Sequence, residues 1–146
     1  MSNDDEVLRQ FSARDAFGRT GLHKAAQEGD IDRVAWVLSR RPQLAKEKDA
    51  TGQTALHAAT AGAKCVVVHF LVAHHPELAV AKDRDGHTAL HVAAVLGKTE
   101  AATLLLQLHP SLATETDRQG RTAFDLAVQH GNSAFDGLRP QAGGLP

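Results

Sequence analysis

The residues of this 146-residue chain best suited to chemistry are its nine histidines, its single cysteine and an aspartate that returns at fixed intervals. Histidine ligates metals and moves protons near neutral pH, so His23, His57, His91 and the adjacent pair His74 and His75 are the first candidates for a metal or acid–base site. Leu96-Gly97-Lys98-Thr99 has the ending of a phosphate-binding loop, but that loop needs a glycine five residues before Gly97, and position 92 is Val. A reactive thiol needs several positive groups beside it. Cys65 has only Lys64, and reads as a small apolar filler. The sequence carries no Ser/His/Asp set, no paired-carboxylate site and no His-Glu-x-x-His segment.

The spacing of these residues points to scaffold. Asp recurs at 15, 49, 83 and 117, Gly at 18, 52, 86 and 120, and Thr at 20, 54, 88 and 122. Leu22, Leu56, Leu90 and Phe124 follow, each trailed by His23, His57, His91 or Asp125, with Ala at 25, 59, 93 and 127. Pro at 42, 76 and 110 and Leu at 44, 78 and 112 keep the same 34-residue step without an insertion. A fixed period of this length is the signature of a repeat architecture.

One unit can be built from its residues. Asp-x-x-Gly suits a type I turn, with Asp first and Gly fourth. The Thr two residues later suits a helix N-cap. A short helix follows, Gly21 to Gln27 in the first unit, whose small Ala25 and Ala26 admit a close neighbour. Gly29, Gly97 and Gly131 end it as left-handed stops. In the second unit Ala63 occupies that slot and Gly62 stands one residue early, so Gly62 is expected to supply the stop. A second helix starts near Asp30 to Asp32 and buries Val34, Val37 and Leu38. Its counterparts are Val68, Leu71 and Val72, then Ala102, Leu105 and Leu106. The prolines at 42, 76 and 110 stop it, and a loop leads to the next turn.

The pattern Asp-x-x-Gly-x-Thr-x-Leu-His-x-Ala resembles the ankyrin repeat. It reads Asp15, Gly18, Thr20, Leu22, His23 and Ala25 in the first unit, and Thr-Ala-Leu-His recurs at 54–57 and 88–91. The resemblance covers roughly residues 15 to 132. It departs from the family at the position after Thr, where Gly21, Ala55, Ala89 and Ala123 replace the usual Pro, and in its period of 34 against the commoner 33. It implies an all-α helix-turn-helix solenoid of three full repeats and a partial fourth. It also implies that His23, His57 and His91 hydrogen-bond the turns between neighbouring units. Units stacked roughly 10 Å apart keep two such histidines from sharing one ion at ~2 Å. His74 and His75 sit at a helix end and lack a third ligand. Asp125, third in its helix, is expected to reach back as a cap.

The expected domain organisation is an N-terminal capping helix within 1–14, formed by Asp4 to Phe11; repeats at 15–48, 49–82 and 83–116; a partial repeat at 117–132; and a C-terminal cap and flexible tail at 133–146. A second helix in the fourth unit is poor, because Ser133 to Leu138 contains Gly137 and Pro140 follows.

Composition narrows the function. Hydrophobic residues are 42% and charged residues 23%, ordinary for a soluble domain, while aromatics are only 4% against 25 alanines, which demands a thin core of closely approaching helices. A net charge of −1 and the scarcity of stacking rings argue against nucleic acid. The longest apolar stretch, Ala63 to Ala73, is too short for a membrane, and the acidic N-terminus is unlike a secretory signal. The expectation is a monomeric intracellular protein, cytoplasmic or nuclear, with no catalytic residue, cofactor or metal.

The resemblance implies contacts through the turn tips and the exposed side of the first helices. Seven of the sixteen tip positions flanking the scaffold Asp and Gly are Arg or Lys against one acid, a mildly basic rim for a protein partner carrying an acidic segment. The candidate contact residues are Phe17, Arg19, Gln53, Arg84, Asp85, His87, Val95, Leu96, Arg118 and Arg121, on the concave side. Val95 and Leu96 either form an apolar centre there or pack against the fourth unit's helix. The rival readings are a regulatory or substrate-recruiting segment of a larger enzyme or channel, and a nucleic-acid module using the basic tips.

Overall fold

The 34-residue register reappears as geometry in a computed structural model, which describes residues 3–139. Eight α-helices and four 3-10 segments make up these residues, with no strand among them. Helix α1 is Asn3–Ser12, followed by the pairs α2 (Gly21–Glu28) and α3 (Ile31–Arg40), α4 (Ala55–Ala61) and α5 (Cys65–His74), and α6 (Ala89–Leu96) and α7 (Thr99–Leu108). Helix α8 (Ala123–Gln129) is followed by no second α-helix in its unit among the described residues. No helix among the described residues is long and apolar enough to cross a membrane.

The first helices form one row, α2 against α4, α4 against α6 and α6 against α8, and the second helices form another, α3 against α5 and α5 against α7. Between them lies one continuous core. Leu22, Leu56, Leu90 and Phe124 are buried at the same step in each unit, as are Leu44, Leu78 and Leu112. Ala26, Ala59, Ala93 and Ala94 are wholly inaccessible, which is how a core nearly free of aromatic rings reaches close packing.

Helix α1 buries Leu8 and Phe11 against the first unit, one residue longer at each end than the sequence indicates. It also explains Gly21, because a Cβ there would come within 2.9 Å of the Phe11 Cα and ring. At the other end Phe135 is fully buried and meets Phe124 edge-on at 6.3 Å. It is carried by a 3-10 segment, Ser133–Leu138, in the place of a second α-helix. The tail expected from Gln141 to Pro146 lies outside the described residues. Prolines 42, 76 and 110 each open a 3-10 segment (Pro42–Lys46, Pro76–Val80, Pro110–Thr114) where a loop was expected, their fixed φ and missing N–H suiting a first turn.

One expectation fails. Gly62 has φ −82° and does not turn left-handed; Ala63 does, at φ 56°. Gly62 is needed for space, since a Cβ at that position would collide with the carbonyl oxygen of Gln27 on α2.

The turns are built as expected. The N–H of Gly18, Gly52, Gly86 and Gly120 donates to the carbonyl of the Asp three residues before, at 3.0 Å in each case. The Asp Oδ1 accepts two more backbone N–H groups, from Thr51 and Gln53 for Asp49 and from Asp85 and His87 for Asp83. Successive turns are joined by backbone bonds, Ala50 N–H to Phe17 O, Arg84 N–H to Thr51 O and Arg118 N–H to Asp85 O.

Candidate functional site

The three repeating histidines are withdrawn from solvent, each at most 1% exposed. His57 Nδ1 accepts the backbone N–H of Thr54 at 3.1 Å, and its Nε2 donates to the carbonyl of His87 in the next unit at 2.9 Å. His23 makes the same pair with Thr20 and Gln53, and His91 with Thr88 and Arg121. An amide N–H can only donate and a carbonyl only accept, so each ring is held neutral with its proton on Nε2. Burial pushes all three below the usual histidine range, and the bonds to the following turn oppose it. Asp125 does the capping half of this work, its Oδ2 accepting the Thr122 N–H at 2.9 Å.

The basic rim is smaller than the sequence suggests, because five of its seven cations are engaged. Arg14 donates to Lys48 O at 2.7 Å, Lys48 to Lys82 O at 3.0 Å and Lys82 to Thr116 O at 2.8 Å, a ladder that stitches each unit to the next. Arg14 also pairs with Glu47 and Lys82 with Glu115. Arg19 pairs with Asp15 at 3.2 Å and Arg121 with Asp117 at 3.0 Å. Burial opposes the charge of Asp117, but backbone N–H bonds from Arg121 and Gln119 and the Arg121 guanidinium outweigh it and hold the carboxyl below its usual range. The side chains of Arg84 and Arg118 make no hydrogen bond or ion pair among the described residues.

Eight of the ten candidate contact residues, all but Asp85 and Arg121, fall into three cavities. Phe17, Arg19 and Gln53 line one of about 390 Å³ with His23, Gln27 and Ala58. Gln53, His87, Val95 and Leu96 line a second of about 210 Å³, completed by Val92. Arg84 and Arg118 line a third of about 340 Å³, which shares no residue with the second. Leu96 is 49% exposed, while Val95 is half-buried against the core. Arg121 is drawn aside to Gln129 Oε1 at 3.0 Å, and the exposed Asp85 lies in the same turn as Arg84.

Some participants escaped the sequence reading. Val92 is 7% exposed at the floor of the second cavity, and only its position one turn before Leu96 on α6 hints at that. Val128 is 62% exposed, a position whose counterparts Ala26, Thr60 and Ala94 are fully buried. Asp83, Asp85 and His87 bring carboxylate and imidazole atoms within 4.8 Å of one another. The Asp83 Oδ1 in that group is already an acceptor within its own turn, and His87 Nε2, buried without a hydrogen bond, points to Asp117 Oδ2 at 3.3 Å.

Comparison with known families agrees with the architecture. A family model described as Ankyrin repeats (3 copies) matches residues 2–82 and 61–139. No curated protein matches the chain.

Proposed function

The chain belongs to the ankyrin-repeat family, and from that membership we propose that it is a non-catalytic protein-interaction module whose partner lies along the turn tips and first helices of units two to four. Ankyrin repeats in general are protein–protein interaction modules. The observation that carries the placement is Leu96, half-exposed over a cavity lined by Val92, Val95, His87 and Gln53. The same slots in the other units hold Gln27 and Glu28, Ala61 and Gly62, and Gln129 and His130, none of them a large apolar side chain. The scaffold does not demand an exposed leucine there, and apolar anchors near the centre of a face are where binding energy concentrates.

The partner in this reading is a protein with an apolar side chain for the cavity and an acidic segment for the adjoining tips, taken up by a monomer. The test is affinity capture with partner identification, followed by titration of that partner against variants. Leu96→Glu should weaken binding by roughly 2 kcal/mol or more. Glu77→Lys, at an exposed position of the Pro76–Val80 segment, should leave it unchanged. Loss of binding with Glu77→Lys alone would move the partner to the opposite side and end the proposal.

A further inference from the structure

The third cavity has a separate chemistry. We propose that it seats a phosphate monoester carried on a serine or threonine of the partner protein, an assignment that rests on the interaction reading above. Its cations are Lys48, Lys82, Arg84 and Arg118, and its carboxylates Asp49 and Asp83. Four positive groups against two negative ones leave a doubly positive lining. A phosphate dianion matches that, and a single Asp or Glu carboxylate leaves half of it uncompensated.

The cations are already in position. The Lys48 and Lys82 ammonium groups are each anchored on the backbone carbonyl of the next unit, with two N–H donors apiece left over. Glu115 touches Lys82 at 3.4 Å from outside the lining, where water screens the pair. The stems of Arg84 and Arg118 lie over Gly52 and Gly86, where an added Cβ would meet the arginine Cγ at 3.2 and 3.1 Å. Backbone bonds between successive turns fix the register of both arginines. Their guanidinium forks, engaged by nothing else among the described residues, present the planar donor pairs that grip phosphate oxygens.

Position and surroundings favour a single phosphate on a protein. The matching turn position is Ala16 in the first unit and Ala50 in the second, so the arginine pair exists only in units three and four. Among the described residues no aromatic ring lines the cavity to stack a base. Asp85 and Glu115 beside it repel a polyanion or a charged bilayer more than they repel one phosphate group.

The experiment is a nuclear magnetic resonance titration of the full chain near 0.15 M salt, reading backbone amides and arginine Nε–Hε signals. The probes are a blocked five-residue alanine peptide with a central phosphoserine, its glutamate and serine counterparts, inorganic phosphate, a single-stranded oligonucleotide and phosphatidylserine vesicles. The phosphopeptide should shift the Arg84 and Arg118 signals saturably and bind about fivefold or more tighter than the glutamate peptide and inorganic phosphate. Arg84→Gln and Arg118→Gln should each weaken it roughly tenfold, the worth of one charge-assisted contact. Leu96→Glu should leave these shifts intact, so that failure of the interaction face and failure of the phosphate site read out separately. The proposal is overturned by no saturable shift up to about 10 mM, a range well beyond useful affinity. Equal binding of the glutamate peptide or inorganic phosphate, indifference to both arginine variants, or tighter binding of the oligonucleotide or vesicles would also overturn it.

Discussion

The Nε2 of His57 lies 2.9 Å from the carbonyl oxygen of His87, which follows it by 30 residues and belongs to the next turn. The same bond runs from His23 to Gln53 and from His91 to Arg121. Each histidine therefore caps its own helix with one nitrogen and holds the adjoining unit with the other. The residues first in line for chemistry are the rivets of the stack.

This arrangement makes stability depend on pH. Burial lowers all three histidine pKa values below the unfolded value of about 6.5. The folded protein then binds fewer protons than the unfolded chain, so the stabilisation is full above about pH 6.5 and is lost as pH falls from there toward the folded values. Each histidine contributes a slope of up to about 1.4 kcal/mol per pH unit in that window. Urea unfolding at pH 7.5, 6.5 and 5.5 should show the midpoint falling little between the first two and much more between the last two. A flat or rising midpoint on acidification would show that the rings are not held neutral. The depressed Asp15, Asp49 and Asp117 act in a separate window, their contribution present above the usual ~3.9 and lost as pH falls further.

Ala63 carries backbone strain that its counterparts Gly29, Gly97 and Gly131 avoid. A left-handed alanine costs roughly 1–2 kcal/mol, and glycine's extra freedom in the unfolded chain returns part of that. Ala63→Gly should raise stability by about 1 kcal/mol, or the melting temperature by about 2–4 °C. No gain, or a loss, in calorimetry would contradict the strain assigned to this turn.

These two cases mark what the sequence discloses. The histidine bonds were legible because both ends obey the 34-residue step and the family resemblance names their role. The role of Gly62 was not, since what excludes a side chain there is the Gln27 carbonyl on a neighbouring helix, and a backbone atom leaves no trace in residue type. The rim misled for the same reason. Arg14, Lys48 and Lys82 read as free cations, but their acceptors are carbonyls 34 residues on. Leu96 was legible as an apolar intruder in a polar slot, whereas its separation from Arg84 and Arg118 depends on which side of a turn each residue faces.

Among the described residues the fourth unit has a neighbouring repeat on one side only. Ala26, Thr60 and Ala94 are each fully buried, and Val128 in the same register is 62% exposed. A Cβ on Gly120 or Gly131 would meet nothing within 4 Å among the described residues, unlike those on Gly52 and Gly86. In a linear array a unit with one neighbour opens first. Amides of 122–138 should exchange faster than those of 54–72, and Val128→Thr should change stability by less than about 0.5 kcal/mol. Ala94→Val, adding bulk where the slot is closed, should cost about 1–3 kcal/mol. Slower exchange at 122–138 would mean that Phe135 and its 3-10 segment seal the end fully.

Leu96 and Leu90 share α6 and separate function from scaffold. Leu90 is wholly buried in the core, and Leu90→Ala should cost about 2–5 kcal/mol by leaving a cavity between rigid helices. Leu96 is half in water at the last turn of the helix, so Leu96→Glu removes little buried surface and places its charge where water reaches it. That charge meets the negative end of the helix, which costs about 0.3–1 kcal/mol. The melting temperature should therefore fall by no more than about 2–4 °C, the shift for 1 kcal/mol in a chain of this size, while binding to the captured partner drops sharply. If Leu96→Glu unfolds the protein as Leu90→Ala does, the side chain belongs to the core. The exposed leucine then no longer marks an interaction site, because an apolar side chain there would be a packing requirement of the helix itself.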